Sequence, residues 1–282
     1  MSKVQIIVDS TSDLSPEIIK NKNIALVPLY VVFGENEYKD GIEITTNDLF
    51  EKVNLTGNLP KTSAPTPMDF YNIFHPYIEQ GKDIIYIGLS SHLSATVQNS
   101  KIAALEFPKD RIHIIDSLNL SSGIALLALQ AADYADIGME TKLIVKKVEE
   151  MVPKIQTFFA IDTLEYLQKG GRCSAIQSFI GNMLKIRPIL KVIDGKIILY
   201  EKVRGKKEKT LDALLMNLLK DKKKLDTSRI ALIHSLSPKD LEYLKEEVSS
   251  LLVFEEILTF EAGCVISSHC GPKAVGIMYS TK

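Results

Sequence analysis

The sequence is short of most features that would declare a chemistry at once. Only three of its 282 residues are cysteine, Cys173, Cys264 and Cys270, an odd and widely spaced set that excludes a disulfide framework. Cys264 and Cys270 lack the pairing and the histidine spacing of a zinc site, so all three read as buried free thiols. Neither sign of charge is in excess: 34 Lys and Arg stand against 35 Asp and Glu, a formal net charge of −1. That balance leaves no basic footprint for nucleic acid. No apolar run is long enough to span a bilayer, and a strand-like segment stands at the N-terminus in place of a basic-then-apolar leader. The expected location is therefore the cytoplasm, without stable membrane insertion. The patterns G-x-x-x-x-G-K-[ST], G-x-G-x-x-G and H-E-x-x-H are missing, which leaves a nucleotide or metal cofactor without a motif. Tryptophan is absent too, and that excludes nothing about function.

What is present is ample core material, 45% hydrophobic residues, arranged as α/β. Residues 1–155 alternate apolar runs with helical segments, which predicts a Rossmann-like domain with a parallel sheet. A composition shift near Pro153 opens a second domain, 156–282, expected to hold a mixed α/β sheet. The organising stretch is Asp83 to Ser100. Ile84 to Leu89 reads as a buried parallel strand, and Ser90, Ser91, Ser94 and Thr96 crowd the joint to the following helix. Two other strands end in similar chemistry: Val4 to Val8 runs into Asp9, Ser10, Thr11 and Ser12, and Ile112 to Ile115 runs into Asp116 and Ser117. Such groups either cap helices or face the crevice that open α/β sheets form beyond their strand carboxyl ends.

Further along, Ile24 to Phe33 reads as one extended element, Thr45 to Lys52 as a helix, and Lys61 to Pro67 as a stiff, hydroxyl-rich loop. Gly123 to Ala135 is a strongly apolar helix, and Ile176 to Lys185 another helix. Asp194 and Gly195 mark a two-residue hairpin between Ile189–Ile193 and Lys196–Val203. His269, followed by Gly271 and Pro272, is expected in a tight loop. Arg172, after Gly170 and Gly171, suits bidentate recognition of oxygen. Arg204 precedes Gly205 and a basic run that reads as solvated surface. Gly88 to His92 nearly matches the nucleophile elbow G-x-S-x-G. With Asp9, Asp116 and His269 available, a stand-alone serine hydrolase or acyltransferase using Ser90 or Ser94 is the enzyme alternative.

Taken in order, VDSTSDL at Val8 to Leu14, KTSAPTP at Lys61 to Pro67, LSSHLSAT at Leu89 to Thr96, IDS at Ile115 to Ser117, DTLEYLQKGGR at Asp162 to Arg172, KIRPIL at Lys185 to Leu190 and SSHCGPKAVG at Ser267 to Gly276 resemble the DegV family across essentially the whole chain. The resemblance implies a two-domain protein enclosing one long-chain fatty acid between its domains, with no cofactor and no resident metal. It also implies the role of fatty-acid-binding subunit of a bacterial fatty acid kinase, in which a separate catalytic subunit binds ATP and makes the acyl phosphate for phospholipid synthesis. This chain would then not itself be the enzyme. On the same footing, Thr62 and Ser94 hold the carboxylate with His269 beside it, Ser63, Asp9, Ser10 and Ser117 shape or support that end, and Arg172 and Arg204 dock the kinase or handle the phosphate. The chain departs from the family pattern at Ala95 and Lys273, where glycine is usual. The apolar lining is expected from Gly123 to Ala135 and Phe179 to Leu184.

Overall fold

The computed structural model describes residues 3–172 and 186–282. The helix expected over Ile176 to Lys185, its lining residues Phe179 to Leu184, and Cys173 lie outside the described residues. With elements numbered in chain order, β1 (Val4–Asp9), β2 (Ala25–Val27), β6 (Asp83–Gly88) and β7 (Ile112–Asp116) form a parallel sheet in the order β2-β1-β6-β7. Both faces are covered, which is why β1 and β6 are almost wholly apolar. Helices α3 (Pro67–Glu79) and α4 (Thr96–Ala104) bury Phe70, Phe74 and Val97 with Ile7, Ile84 and Tyr86 on one face. The other face packs on α5 (Ser122–Asp136), whose sequence SGIALLALQAADYAD is apolar nearly all round. A helix of that kind must be buried on every side, and α5 is: it lies between this sheet and a second one. Strand order reverses between β1 and β6, so their carboxyl ends flank a switch-point crevice.

The second sheet is mixed, in the order β10 (Lys196–Arg204), β9 (Ile186–Ile193), β8 (Ile155–Ala160), β13 (Val275–Thr281), β11 (Leu225–His234), β12 (Glu256–Glu261). Only β11 and β12 run parallel. Residues alternate across it: Phe158, Ile277 and Tyr279 meet helices α8 (Lys207–Lys220) and α9 (Pro238–Leu251), while Phe159 and Met278 turn towards α5 and join the core of the first sheet. The hairpin expected at Asp194 and Gly195 is there, with both residues at positive φ.

Three expectations need correcting. Ile24 to Phe33 is two strands in different sheets, because Pro28 supplies no N–H to continue a ladder. After β2 the chain enters a small antiparallel sheet of β4 (Asn36–Lys39), β3 (Tyr30–Phe33) and β5 (Lys61–Ser63). The supposed loop at Lys61 to Pro67 is therefore a strand for its first three residues, pairing Thr62 with Val31. It ends in a capping box in which Thr66 and Asp69 satisfy each other ahead of Pro67. Finally, His269 is not in a loop. It stands in the last turn of α10 (Cys264–Cys270), which begins after Gly263 and stops at Gly271, at φ 75. Although α10 belongs to the C-terminal half of the sequence, it packs on β3, β5, α2 (Thr46–Thr56) and α7 (Glu165–Lys169).

Candidate functional site

Beyond the carboxyl end of β6, a cavity partly open to solvent lies among β5, α10 and the loop before α4. Its polar wall is Thr62, Ser63, Ser94, Arg172 and His269, and its apolar wall includes Leu29, Leu93, Leu120 and Ile266. Leu120, Ile266 and Cys270 also bound a second, narrow apolar pocket between the start of α5 and the second sheet beside Phe159, Ile233 and Met278. One chamber carries hydroxyls, a histidine and the guanidinium of Arg172 at its edge. The other is lined by hydrocarbon.

The polar wall is built in two layers. Thr62 Oγ1 lies 2.8 Å from His269 Nε2. Burial, and then the charge of Arg172, push the His269 pKa down to about 4, so the ring is neutral at pH 7 and carries one N–H. Among the described residues its buried Nδ1 has no hydrogen-bond partner, and it packs so closely on Gly170 that an added Cβ there would stand 2.3 Å away. In the tautomer that carries its proton on Nε2, the ring donates to Thr62, which then keeps its own hydroxyl proton for the cavity. Ser94 repeats the scheme: its Oγ is 2.7 Å from Thr96 Oγ1 and accepts from Thr96 N–H at 3.3 Å. Thr96 is fully buried, and where its hydroxyl is the donor of this pair the Ser94 proton is left to face inward. A pair of hydroxyls so backed donates to an anion. Arg172 adds positive charge at the rim, where Nε and Nη1 hold the carbonyls of Leu93 and Gly170.

Of the residues singled out in the sequence, Thr62, Ser63, Ser94, His269 and Arg172 meet at this cavity. Asp9, Ser10 and Ser117 do not line it, because each is committed to the fold behind. Asp9 accepts from Tyr86 OH and Leu89 N–H, both at 2.8 Å, and from Thr11; burial pushes its pKa up. Ser10 accepts from Leu29 N–H at 3.0 Å, and Ser117 closes a turn with Asn119. Arg204 is exposed at the end of β10, away from the cavity. Lys273 sits at φ 64, a left-handed conformation that glycine adopts more readily than lysine. Ala95 precedes α4 without a side-chain cap. Sequence reading missed Leu29, Leu93 and Ile266, since an apolar lining residue carries no signal that separates it from core. It also missed the backing role of Thr96.

The hydrolase alternative fails on the same geometry. Ser90 Oγ donates to Gly195 O at 2.8 Å, Asp116 accepts from the N–H groups of Ser91 and Leu118, and His269 Nε2 meets a threonine. Among the described residues no carboxylate reaches Nδ1, so nothing orients a general base on a serine.

Comparison with known proteins agrees with the fold. A fatty acid-binding protein of Thermotoga maritima is 33% identical over 280 residues, 97% of this chain and 96% of that one. A DegV family protein from Thermus thermophilus, whose structure is described for its fatty acid binding, superposes with a TM-score of 0.93 at 31% identity, covering 99% of this chain and 100% of that chain. DegV of Bacillus subtilis, described as a fatty acid binding protein, gives a TM-score of 0.86 at 29% identity, with both chains fully covered. The sequence model of an uncharacterised-protein family, the DegV family, matches residues 3–282. The chain belongs to the DegV family.

Proposed function

We propose that this protein binds one long-chain fatty acid, its carboxylate against Thr62 and Ser94 and its tail in the hydrocarbon chamber, and offers the head group to a separate ATP-dependent kinase subunit. The observation that carries the reading is the pair of hydroxyls at an apolar cavity, each hydrogen-bonded from behind, Thr62 to His269 and Ser94 to Thr96; with the group behind as donor, each keeps its own proton for a ligand. Donors of that kind offset the cost of taking a carboxylate out of water. Withdrawing a sixteen-carbon chain from water supplies on the order of 10 kcal/mol at about 0.8 per methylene, before association costs. The similarity over the full length to proteins described as fatty-acid-binding supports the same ligand class.

In the second half of the proposal a carboxylate oxygen attacks the γ-phosphorus of ATP held by the partner, the bond to ADP breaks, and an acyl phosphate remains in the cavity. This chain contributes position, not the nucleotide. Arg172 at the rim and Arg204 on the exposed end of β10 are its candidate contacts with the partner or the new phosphate. Gentle purification followed by native mass spectrometry is expected to give added mass equal to a fatty acid. Delipidated protein should take up labelled palmitate or oleate in preference to the matching alcohol. A protein that is always empty and takes up neither overturns the ligand assignment. Acid that is bound, yet yields no acyl phosphate with ATP and a fatty acid kinase catalytic subunit, overturns the partner assignment alone.

A further inference from the structure

The start of α10 is held in an unusual way. The residue before the helix is Gly263, which has no side chain to cap with, where Ser, Thr, Asp or Asn would satisfy the first N–H groups locally. Two remote carboxylates do the work. Asp13, from the loop after β1, accepts from Gly263 N–H at 2.8 Å, and Asp40, from the loop after β4, accepts from Cys264 N–H at 2.7 Å. Both acids are buried, at 7% and 1% exposure. Ser121 at the start of α5 steadies Asp13 through its hydroxyl at 2.6 Å. Thr46 adds a third hold by donating to Ala262 O at 2.8 Å. Gly263 is needed for the approach, since an added Cβ would stand 3.2 Å from an oxygen of each acid.

Burying two carboxyls is expensive, and capping seven residues does not require it. The other end of the same helix shows what the expense secures. α10 is about 10 Å long, and its last turn sets His269 Nε2 on Thr62 with Nδ1 wedged against Gly170. A tilt or slip at the first residue moves the imidazole out of that seat. We propose that Asp13 and Asp40 are positioning residues for the head-group site: from two loops of the N-terminal half they grip the first N–H groups of α10 and so fix where the helix delivers His269 to Thr62. The acids never touch the ligand. They act through the helix as an accepting oxygen, and both pKa values are raised by burial, in keeping with a role that does not depend on negative charge.

The test uses the full chain. In the empty protein, the NMR titration midpoint of the His269 ring reports its seat whether or not any lipid binds. Asp13→Ala and Asp40→Ala are expected to raise that midpoint by a unit or more towards the ordinary histidine value, and Asp13→Asn and Asp40→Asn, which keep an accepting oxygen, to restore it. Gly263→Ala, which crowds the grip without removing it, should move the midpoint the same way by less, and serves if an alanine variant does not fold. A second arm rests on the proposed function: the alanine variants should cut the preference for palmitate over hexadecanol about tenfold, leaving alcohol binding unchanged. A midpoint unmoved in the alanine variants overturns the inference, as do asparagine variants that behave like alanine. Failure of the wild type to bind palmitate would instead count against the proposed function, with the titration arm still deciding this one.

Discussion

The two chambers beside α10 share three residues and obey opposite rules. In the first, each ligand-facing hydroxyl is oriented by a second polar group, so recognition is directional and depends on who donates to whom. In the second, Phe159, Ile233 and Met278 offer only surface, and affinity there scales with the area removed from water. Under the proposed function, chemical class is read in one place and chain length in another, and changes in the two should be separable.

The strongest way to break that separation is Thr62→Ala combined with Ser94→Ala. Loss of two hydrogen bonds to a charged group, worth roughly 1.5–3 kcal/mol each, should weaken palmitate about 100-fold or more while hardly affecting hexadecanol, as measured by competition with a fluorescent fatty acid. Equal loss for both would mean that the hydroxyls merely shape the wall. Next in size is Ala274→Leu, which fills part of the second chamber. Palmitate should weaken about tenfold for roughly two displaced methylenes, and decanoate should not; a uniform loss across chain lengths would place the tail elsewhere.

Smaller effects sharpen the picture at the polar end. His269 is held neutral with its pKa near 4, below the ordinary 6.5, so the unfolded chain binds its proton first. Its contribution to stability is complete above pH 6.5, falls as pH drops towards 4, and is constant below that. Buried Asp13 and Asp40 titrate in the opposite sense, so the comparison must be with His269→Gln. Between pH 7 and 4 the wild type should lose more stability than this variant, by at most about 3 kcal/mol, in urea unfolding followed by circular dichroism. Smallest is Arg172→Ala, which removes the lesser of the two causes and should raise the His269 midpoint only part of the way.

Much of this was legible in the chain before folding. Strand β6 and the hydroxyls after it announce themselves by an apolar β-branched run meeting Ser90 to Thr96, and Asp194-Gly195 fixes the hairpin. What was illegible follows from distance. The helix over Thr141–Met151 buries only Thr141, Ile144 and Val148 among charged neighbours, too thin a stripe to stand out. His269 looked like a loop residue because Gly271 and Pro272 follow it, and its helix, over the poor helix-forming sequence CVISSHC, is held by partners more than 200 residues away. Asp9 looked like a ligand group because a carboxylate at a strand end has the right address. Only the fold reveals that Tyr86 and Leu89 had already claimed it.

Helix α5 has one further consequence. Its leucines and alanines serve as inner lining to the parallel sheet and to the mixed sheet at once, so neither half owns it. A fragment cut after residue 155 would keep the helix and expose its greasy back, and one beginning there would leave Phe159 and Met278 bare. Recombination among relatives should therefore succeed at surface turns and fail at the apparent midpoint of the gene.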